Sequence, residues 1–467
     1  MITFVTALLD LHEDRSKDRS MESRIAHFRQ LESSGIKLHL FVSPEYAHLG
    51  GEVVSLEELE TFATAPSGLP TQRTPYHDTK NFLCLMNAKT ELVVRAMKTG
   101  TTTHYAWIDF NVVHVFRDVP RTLSYLSMLG QTRLRDRCLL IPGCWGPGTM
   151  TDRVNWRFCG GFFVGDRQSL LDFHAAHQVA YQALPHLTWE VNTWARADIP
   201  GLTWYPGDHT DSLVRIPPEF MVTVASLTTI PPRFETDCRL AVASIAPQVE
   251  QVFLSVPDAY VRFPMRQLPA WMSEIQLCRG EDKGPASKYL GALDRIPKGA
   301  WVFIGDDDQE YQPDLIERMK RGINAMGVYQ NHFFSIREKT SGGMIHGYVG
   351  LLIHESLLRK LSEFPLPEAA RFVDDQWMSA YCSTHGIRIF PTSAEPYTEI
   401  FKVLQNGHEK LGCASLSGLH TRDERVRELG RALGVTFTGS VLTHDPVPAE
   451  QDPTSSPPVH ADESTPQ

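Results

Sequence analysis

The chain gives the same ordered set of landmarks twice, and a repeated order implies a repeated structural unit. The first half opens on "ITFVTALLD" and the second on "MVTVASLTTIPPRF". Each runs into a helical stretch with an arginine near its start, Arg24 in "ESRIAHFRQL" and Arg239 in "DCRLAVASI". Two apolar strands of matching design follow, "KLHLFVSPEY" and "VEQVFLSVPDAY". Next come lysine-bearing segments, "NAKTELVVRAM" with Lys89 and "ASKYLGALDRI" with Lys288. Twenty residues beyond each lysine an aspartate ends a strand, Asp109 in "YAWIDFN" and Asp308 in "FIGDDDQ". Glycine-led strands, "FCGGFFVG" and "HGYVGLLIH", lead to acids at the front of helical patterns, "LTWEVNTWA" and "FVDDQWMSAYC".

Strand-like runs alternate with helical patterns in both halves, so each reads as an α/β unit with a mainly parallel, Rossmann-like sheet covered on both faces. The units are expected over 1–218 and 219–440, divided at the paired prolines of "RIPPEF". From about residue 441 the chain is rich in Pro, Ser and acids, and 441–467 is expected to be a disordered tail. A formal charge of −10 argues against a general nucleic-acid binder. Eight scattered cysteines without a C-x-x-C make a zinc ribbon or a disulfide scaffold unnecessary and suit a reducing compartment. "MITFVTALLD" reads as a first strand rather than a leader, and no apolar run reaches the length of a membrane span.

Three adjacent aspartates, Asp306, Asp307 and Asp308, close the apolar strand "WVFI". Like charges so placed need full solvent or a neutralising cation. In sheets of this kind ligands bind at the carboxyl ends of strands, where this run and Asp109 both fall. Oxygen ligands there suit Mg²⁺ or Mn²⁺, which take one or two carboxylates plus substrate phosphates. The bland reading is a solvated acidic turn. Asp374 and Asp375 are either first-turn helix charges or a general base for an incoming hydroxyl, with one of the pair facing the site. Glu190 is their counterpart in the first half. His209, His408 and His420 follow the last strands of their halves, where an imidazole can ligate a cation or simply face solvent. The glycine-led strands allow close backbone approach or relieve packing. No Walker or dinucleotide fingerprint is present.

"DKGPASKYLGAL", "FIGDDDQEY", "GYVGLL" and "VDDQWMSAYC" together resemble a bacterial glycosyltransferase family of the GT-A fold, over most of 221–400. "SRIAHF", "NAKTELVV", "AWIDFN", "WRFCGGFFVG" and "WEVNTWA" resemble the HtrL/YibB-type proteins, over about 20–200. These resemblances imply two tandem GT-A-like domains that transfer sugars from nucleotide-diphosphate donors to hydroxyl acceptors. They imply Asp306 and Asp308 as metal ligands, with Asp306 also near the ribose, and Asp282 and Lys288 toward the nucleotide. Asp374 or Asp375 becomes the catalytic base. In the first half Asp109 takes the metal position, with Asn111 as a departure from the second acid. Lys89 and Arg24 fall to the donor, and Glu190 to the acceptor. Of the three histidines, His408 is taken as the candidate nitrogen ligand by its position, and Mn²⁺ or Mg²⁺ is the implied cofactor.

The implied acceptor is a glycan or lipid-linked glycan of a bacterial surface polysaccharide, which places the protein in the cytoplasm or peripherally at the inner membrane face. A sugar nucleotidyltransferase is the rival within enzymes, although the glycine-rich basic loop it needs after the first strand is missing. A non-catalytic carbohydrate-binding protein with a degenerate first half is the rival outside them.

Overall fold

Ile2–Leu8 is buried along its whole length, as are His104–Ile108 and Trp301–Ile304, so the central strands are covered on both faces. That burial is what near-continuous apolar runs in a largely parallel sheet require. A computed structural model describes residues 1–9, 20–71, 78–146, 154–330, 344–392, 401–404, 421–438 and 441–444.

The first unit has strands β1 (Ile2–Leu8), β2 (Leu38–Val42), β3 (Glu52–Val53), β4 (His104–Ile108), β5 (Leu139–Gly143), β6 (Phe162–Asp166) and β7 (Leu202–Pro206). They lie in the order β3-β2-β1-β4-β6-β5-β7. The second unit has β8 (Thr223–Thr228), β9 (Gln251–Ser255), β10 (Gln276–Cys278) and β11 (Trp301–Ile304). After β12 (Gln309–Tyr311) it adds β13 (Val328–Gln330), β14 (Leu351–His354) and β15 (Ile389–Pro391). Its order is β10-β9-β8-β11-β14-β13-β15. With β12 set aside, which pairs instead with β16 (Phe401–Val403), the two sheets have one topology. Strand directions repeat as well: within the two seven-stranded sheets β6 and β14 run against their neighbours, and the other pairings are parallel. The expected pair of tandem α/β units is therefore present, and the two sheets divide the chain between Pro206 and Thr223.

The order turns back between β1 and β4, and between β8 and β11, which opens a crevice at their carboxyl ends. Antiparallel β6 returns beside β4 so that Ile108 faces Phe162, and β14 returns beside β11 so that Ile304 faces Leu351. The glycines preceding β6 and β14 thereby reach the strand ends that carry the aspartates.

The units share a seam. Leu134 and Met221 form an antiparallel bridge, and the Arg133 N–H donates to the Gly299 carbonyl over 2.7 Å. One apolar core runs from Phe4, Leu126 and Leu129 to Ala225, Trp301 and Tyr329. The expectation of disorder from residue 441 is corrected at its start: Val441–His444 pairs antiparallel with Val435–Thr438, because "VTFT" and "VLTH" both carry β-branched strand formers. Residues 445–467 lie outside the described residues. Among those described, no cysteine is disulfide-bonded and no helix is long and apolar enough to cross a membrane.

Candidate active site

Each unit buries a lysine between two carboxylates at the carboxyl end of its central strands. In the second unit Lys288 lies on the one-turn helix Ser287–Leu290 and is 3% exposed. Its Nζ stands 2.7 Å from Asp306 Oδ1, just beyond β11, and 2.9 Å from Asp374 Oδ2, at the start of the helix Asp374–Thr384. Burial works against the ammonium, but Asp306 and Asp374 together hold its pKa well above the ordinary value. The lysine therefore stays charged and fixes both acids.

In the first unit Lys89 begins the helix Lys89–Thr99 and is 1% exposed. It stands 3.0 Å from Asp109 Oδ1 and 2.8 Å from Glu190 Oε1, and donates to the Gly160 carbonyl over 2.9 Å. Trp107 Nε1 donates to the same Asp109 oxygen. Glu190 Oε2 is buried without a hydrogen-bond partner among the described residues, and burial raises the Glu190 pKa despite Lys89.

The lysines correct the sequence register. Equal spacing matched Asp109 to Asp308, but the residue bound by Lys288 is Asp306, only eighteen positions on. Lys89 starts an eleven-residue helix whereas Lys288 sits on one turn, so equal distances in space take unequal lengths of chain. Asp109 thus corresponds to Asp306, which places Asn111 opposite Asp308. Asn111 opens the 3-10 turn Val112–Val115, and its carbonyl accepts from the His114 N–H.

Arg233 was not singled out from the sequence and is central here. It ends the 3-10 turn Pro231–Arg233 that follows β8. Its guanidinium meets Asp307 Oδ1 at 2.5 Å and Asp308 Oδ2 at 2.8 Å, with all three side chains largely buried. Thr229 donates to the other Asp307 oxygen over 2.6 Å. Two protein cations, Arg233 and Lys288, therefore offset part of the charge of the three aspartates. Being the first basic residue past the strand beside β11 was the one signal that pointed to it. Burial still pushes Asp308 up to about 7, with Arg233 opposing.

Asp374 and Asp375 diverge as expected of neighbours, yet both remain at the centre. Asp375 Oδ1 accepts from the Gly347 N–H over 2.9 Å. Burial, and then the charge of Asp374, push the half-buried Asp375 up to about 7. A Cβ on Gly347 would lie 2.5 Å from Asp375 Oδ1 and 2.9 Å from Lys288 Nζ, so close backbone approach is the reason for this glycine. Gly160 does the same in the first unit, where a Cβ would collide with Glu190 Oε1.

Asp282 uses both oxygens on backbone, accepting from the Val261 N–H at 2.9 Å and the Gly284 N–H at 2.8 Å. Arg24 is half-buried in the first turn of the helix Met21–Ser33. His209 stands edge-on to Trp156, centroids 4.7 Å apart; burial lowers its pKa against the pull of Asp109. His408 and His420 lie outside the described residues. Asp306, its side chain 30% exposed, sits at the mouth of the centre. Among the described residues no group of three or more His, Cys, Asp or Glu side chains is placed to hold a metal ion. The hard oxygens of Asp306 and Asp308 suit a divalent cation chemically, with the remaining ligands left to a phosphate substrate.

No protein-family model and no curated protein matches the chain. Among solved structures, it is similar to the catalytic domain of Drosophila beta1,4galactosyltransferase 7, captured with xylobiose, at 11% identity and TM-score 0.27, covering 40% of this chain and 73% of that one. It is also similar to 4-diphosphocytidyl-2C-methyl-D-erythritolsynthase from Anaerococcus prevotii, at 9% identity and TM-score 0.26, over 45% and 98% of the two chains. The inositol-1-phosphate CTP transferase from T. maritima gives 11% identity and TM-score 0.26, over 44% and 95%. At these values neither activity nor substrate passes from those proteins to this one.

Proposed function

We propose that this chain is a glycosyltransferase with two centres, moving sugars from nucleotide-diphosphate donors to hydroxyls of a glycan or lipid-linked glycan acceptor. The observation that carries the reading is the second centre. A buried lysine fixes two carboxylates at the strand-end crevice, and a third carboxylate beside them, Asp375, is tuned to about 7. A general base works best with a pKa near the operating pH.

In this reading the acceptor oxygen attacks the anomeric carbon as the bond from that carbon to the diphosphate oxygen breaks. The acceptor proton goes to Asp375, and the electron pair leaves with the diphosphate. Gly347 holds the base through its N–H, and Lys288 holds Asp374 and Asp306 in place. Asp306 and Asp308 would hold Mn²⁺ or Mg²⁺, which when bound supplies Lewis-acid stabilisation of the leaving diphosphate. In the first unit Glu190 takes the place of the acid near the acceptor, and Asp109 with Asn111 faces the donor. The nucleotidyltransferase reading asks for uncommitted basic charge in the loop after β8. Arg233 is the basic residue there, and Asp307 and Asp308 engage it.

The test is donor hydrolysis and transfer across a panel of nucleotide sugars with Mn²⁺. The expected result is turnover of at least one donor, abolished by Asp375→Asn and by Asp308→Ala. Loss of a second donor's turnover in Glu190→Gln would assign the first centre. An intact protein that neither binds nor turns over any donor would remove the enzyme reading in favour of a binding protein.

A further inference from the structure

The seam between the two units holds a half-open cavity of about 310 Å³ that shares no lining residue with either lysine centre. Its chemistry is unusual for a chain with a net charge of −10, because four basic side chains line it, Arg121, Arg215, Lys320 and Arg321, the last of them paired with Glu317. Arg121 and Arg215 come from the first unit and Lys320 from the second. The guanidinium of Arg121 donates to Asn324 Oδ1 over 3.0 Å, and that of Arg215 reaches the same oxygen at 3.5 Å. Arg215 also lies 4.0 Å above the ring of Tyr125. Lys320, 6% exposed, donates to the Met221 carbonyl over 3.0 Å.

Among the described residues, Arg121, Arg215 and Lys320 have no carboxylate within salt-bridge distance. The cavity does hold two acids, Asp118 and Asp211, but their oxygens are turned to other donors. Asp211 accepts from Thr122 Oγ1 at 2.6 Å and from the N–H groups of Arg117 and Asp118 at 3.2 Å each. Asp118 caps the helix Val119–Gln131 through the Arg121 N–H. A buried charge without a counter-ion is costly, and the cost falls when an anion arrives. Burial depresses both Lys320, to about 8, and Arg215, as that unmet cost requires.

We infer that this seam cavity is an anion site fitted to an oligophosphate, gripped by the forks of Arg121 and Arg215 with Lys320 behind them. Guanidinium forks match phosphate oxygens in pairs, the lysine adds a point charge, and the volume accommodates two linked phosphoryl groups. Because both units contribute, occupancy would couple them across the seam. The inference stands apart from the transferase reading.

The experiment is isothermal titration of the full chain with pyrophosphate in EDTA, comparing wild type with Arg121→Glu, Arg215→Met and Asp375→Asn. Arg121 is exposed, so its variant keeps the fold, and circular dichroism checks that the others do. The expected result is one site per chain, weakened about tenfold or more by Arg121→Glu and by Arg215→Met, and unchanged in Asp375→Asn. A parallel titration with ADP separates the two sources of this chemistry. Tighter ADP binding, still sensitive to Arg121→Glu, marks a nucleotide; binding no tighter than pyrophosphate marks a bare oligophosphate. No binding to wild type, or equal affinity in Arg121→Glu, would overturn the inference.

Discussion

Arg233 faces two buried carboxylates, so its removal leaves two charges with nothing to balance them. Breaking such a pair from one side costs about 3–5 kcal/mol, whereas replacing the whole charged set is often near neutral. Arg233→Met should therefore lose stability on that scale in urea unfolding, and adding Asp307→Asn and Asp308→Asn should recover most of it. Failure of the triple variant to recover would show that Arg233 acts through packing rather than charge. Asp375 makes a different prediction, because its carboxyl is raised to about 7 in the folded chain and is ordinary in the unfolded one. The folded state then holds its proton more tightly. That contribution to stability is complete below about pH 4 and is lost as pH rises through about 7. Asp375→Asn should flatten the decline in unfolding free energy between pH 4 and 7, measured without metal. The same group gives the proposed reaction a rising limb in kcat/KM centred near pH 7, since only the deprotonated carboxylate takes the acceptor proton. Residues of this kind were partly legible. Asp306, Asp308 and Asp375 stood out because charge interrupts apolar strands and begins a helix. Arg233 did not, because one arginine after two prolines looks like any solvated turn until the strand beside it is known.

Elements carry the centre by bringing distant segments to one strand end, and glycine is what lets them meet. In Gly347→Ala the new methyl would press on Asp375 Oδ1 and on Lys288 Nζ, which Asp306 and Asp374 hold. A displacement near 1 Å of a reacting group costs on the order of 100-fold in rate. Gly347→Ala should lower donor turnover by about that factor while circular dichroism stays unchanged; wild-type turnover would show that Asp375 does not need this geometry. Strand identity and the duplication were legible because "ITFVTAL", "HYAWI" and "WVFI" are apolar throughout, and the landmark order repeated. The lysine-to-aspartate spacing misaligned the aspartates, although the motif reading set Asn111 against Asp308. Chain spacing counts residues, whereas the match depends on an eleven-residue helix in one unit and a single turn in the other. The strand Val441–His444 was missed for a related reason: "VLTH" has no periodicity of its own and takes its strand state from pairing with "VTFT".

At the scale of the whole molecule the duplicated topology suggests two independent bodies, but the packing joins them. Met221, between the two sheets, is buried and bridged to Leu134, and backbone hydrogen bonds tie Arg133 to Gly299 and Val222, and Arg135 to Phe220. Arg135 adds an ion pair to Glu250 at 2.7 Å. None of these contacts was readable from the sequence, since a seam of isolated backbone bonds leaves no hydrophobic period. The continuous core across the seam means that neither unit can lose its packing without exposing apolar surface on the other. Equilibrium unfolding in urea should therefore give one transition, with far-UV circular dichroism and tryptophan fluorescence coinciding. Trp107 and Trp194 report on the first unit, and Trp301 and Trp377 on the second. Leu134→Ala removes a fully buried side chain at the bridge and should cost about 2–5 kcal/mol. The discriminating feature is where that loss appears. If the seam couples the units, both probes shift together to lower urea; if the units are separable, the fluorescence trace splits and only the transition of the first unit moves.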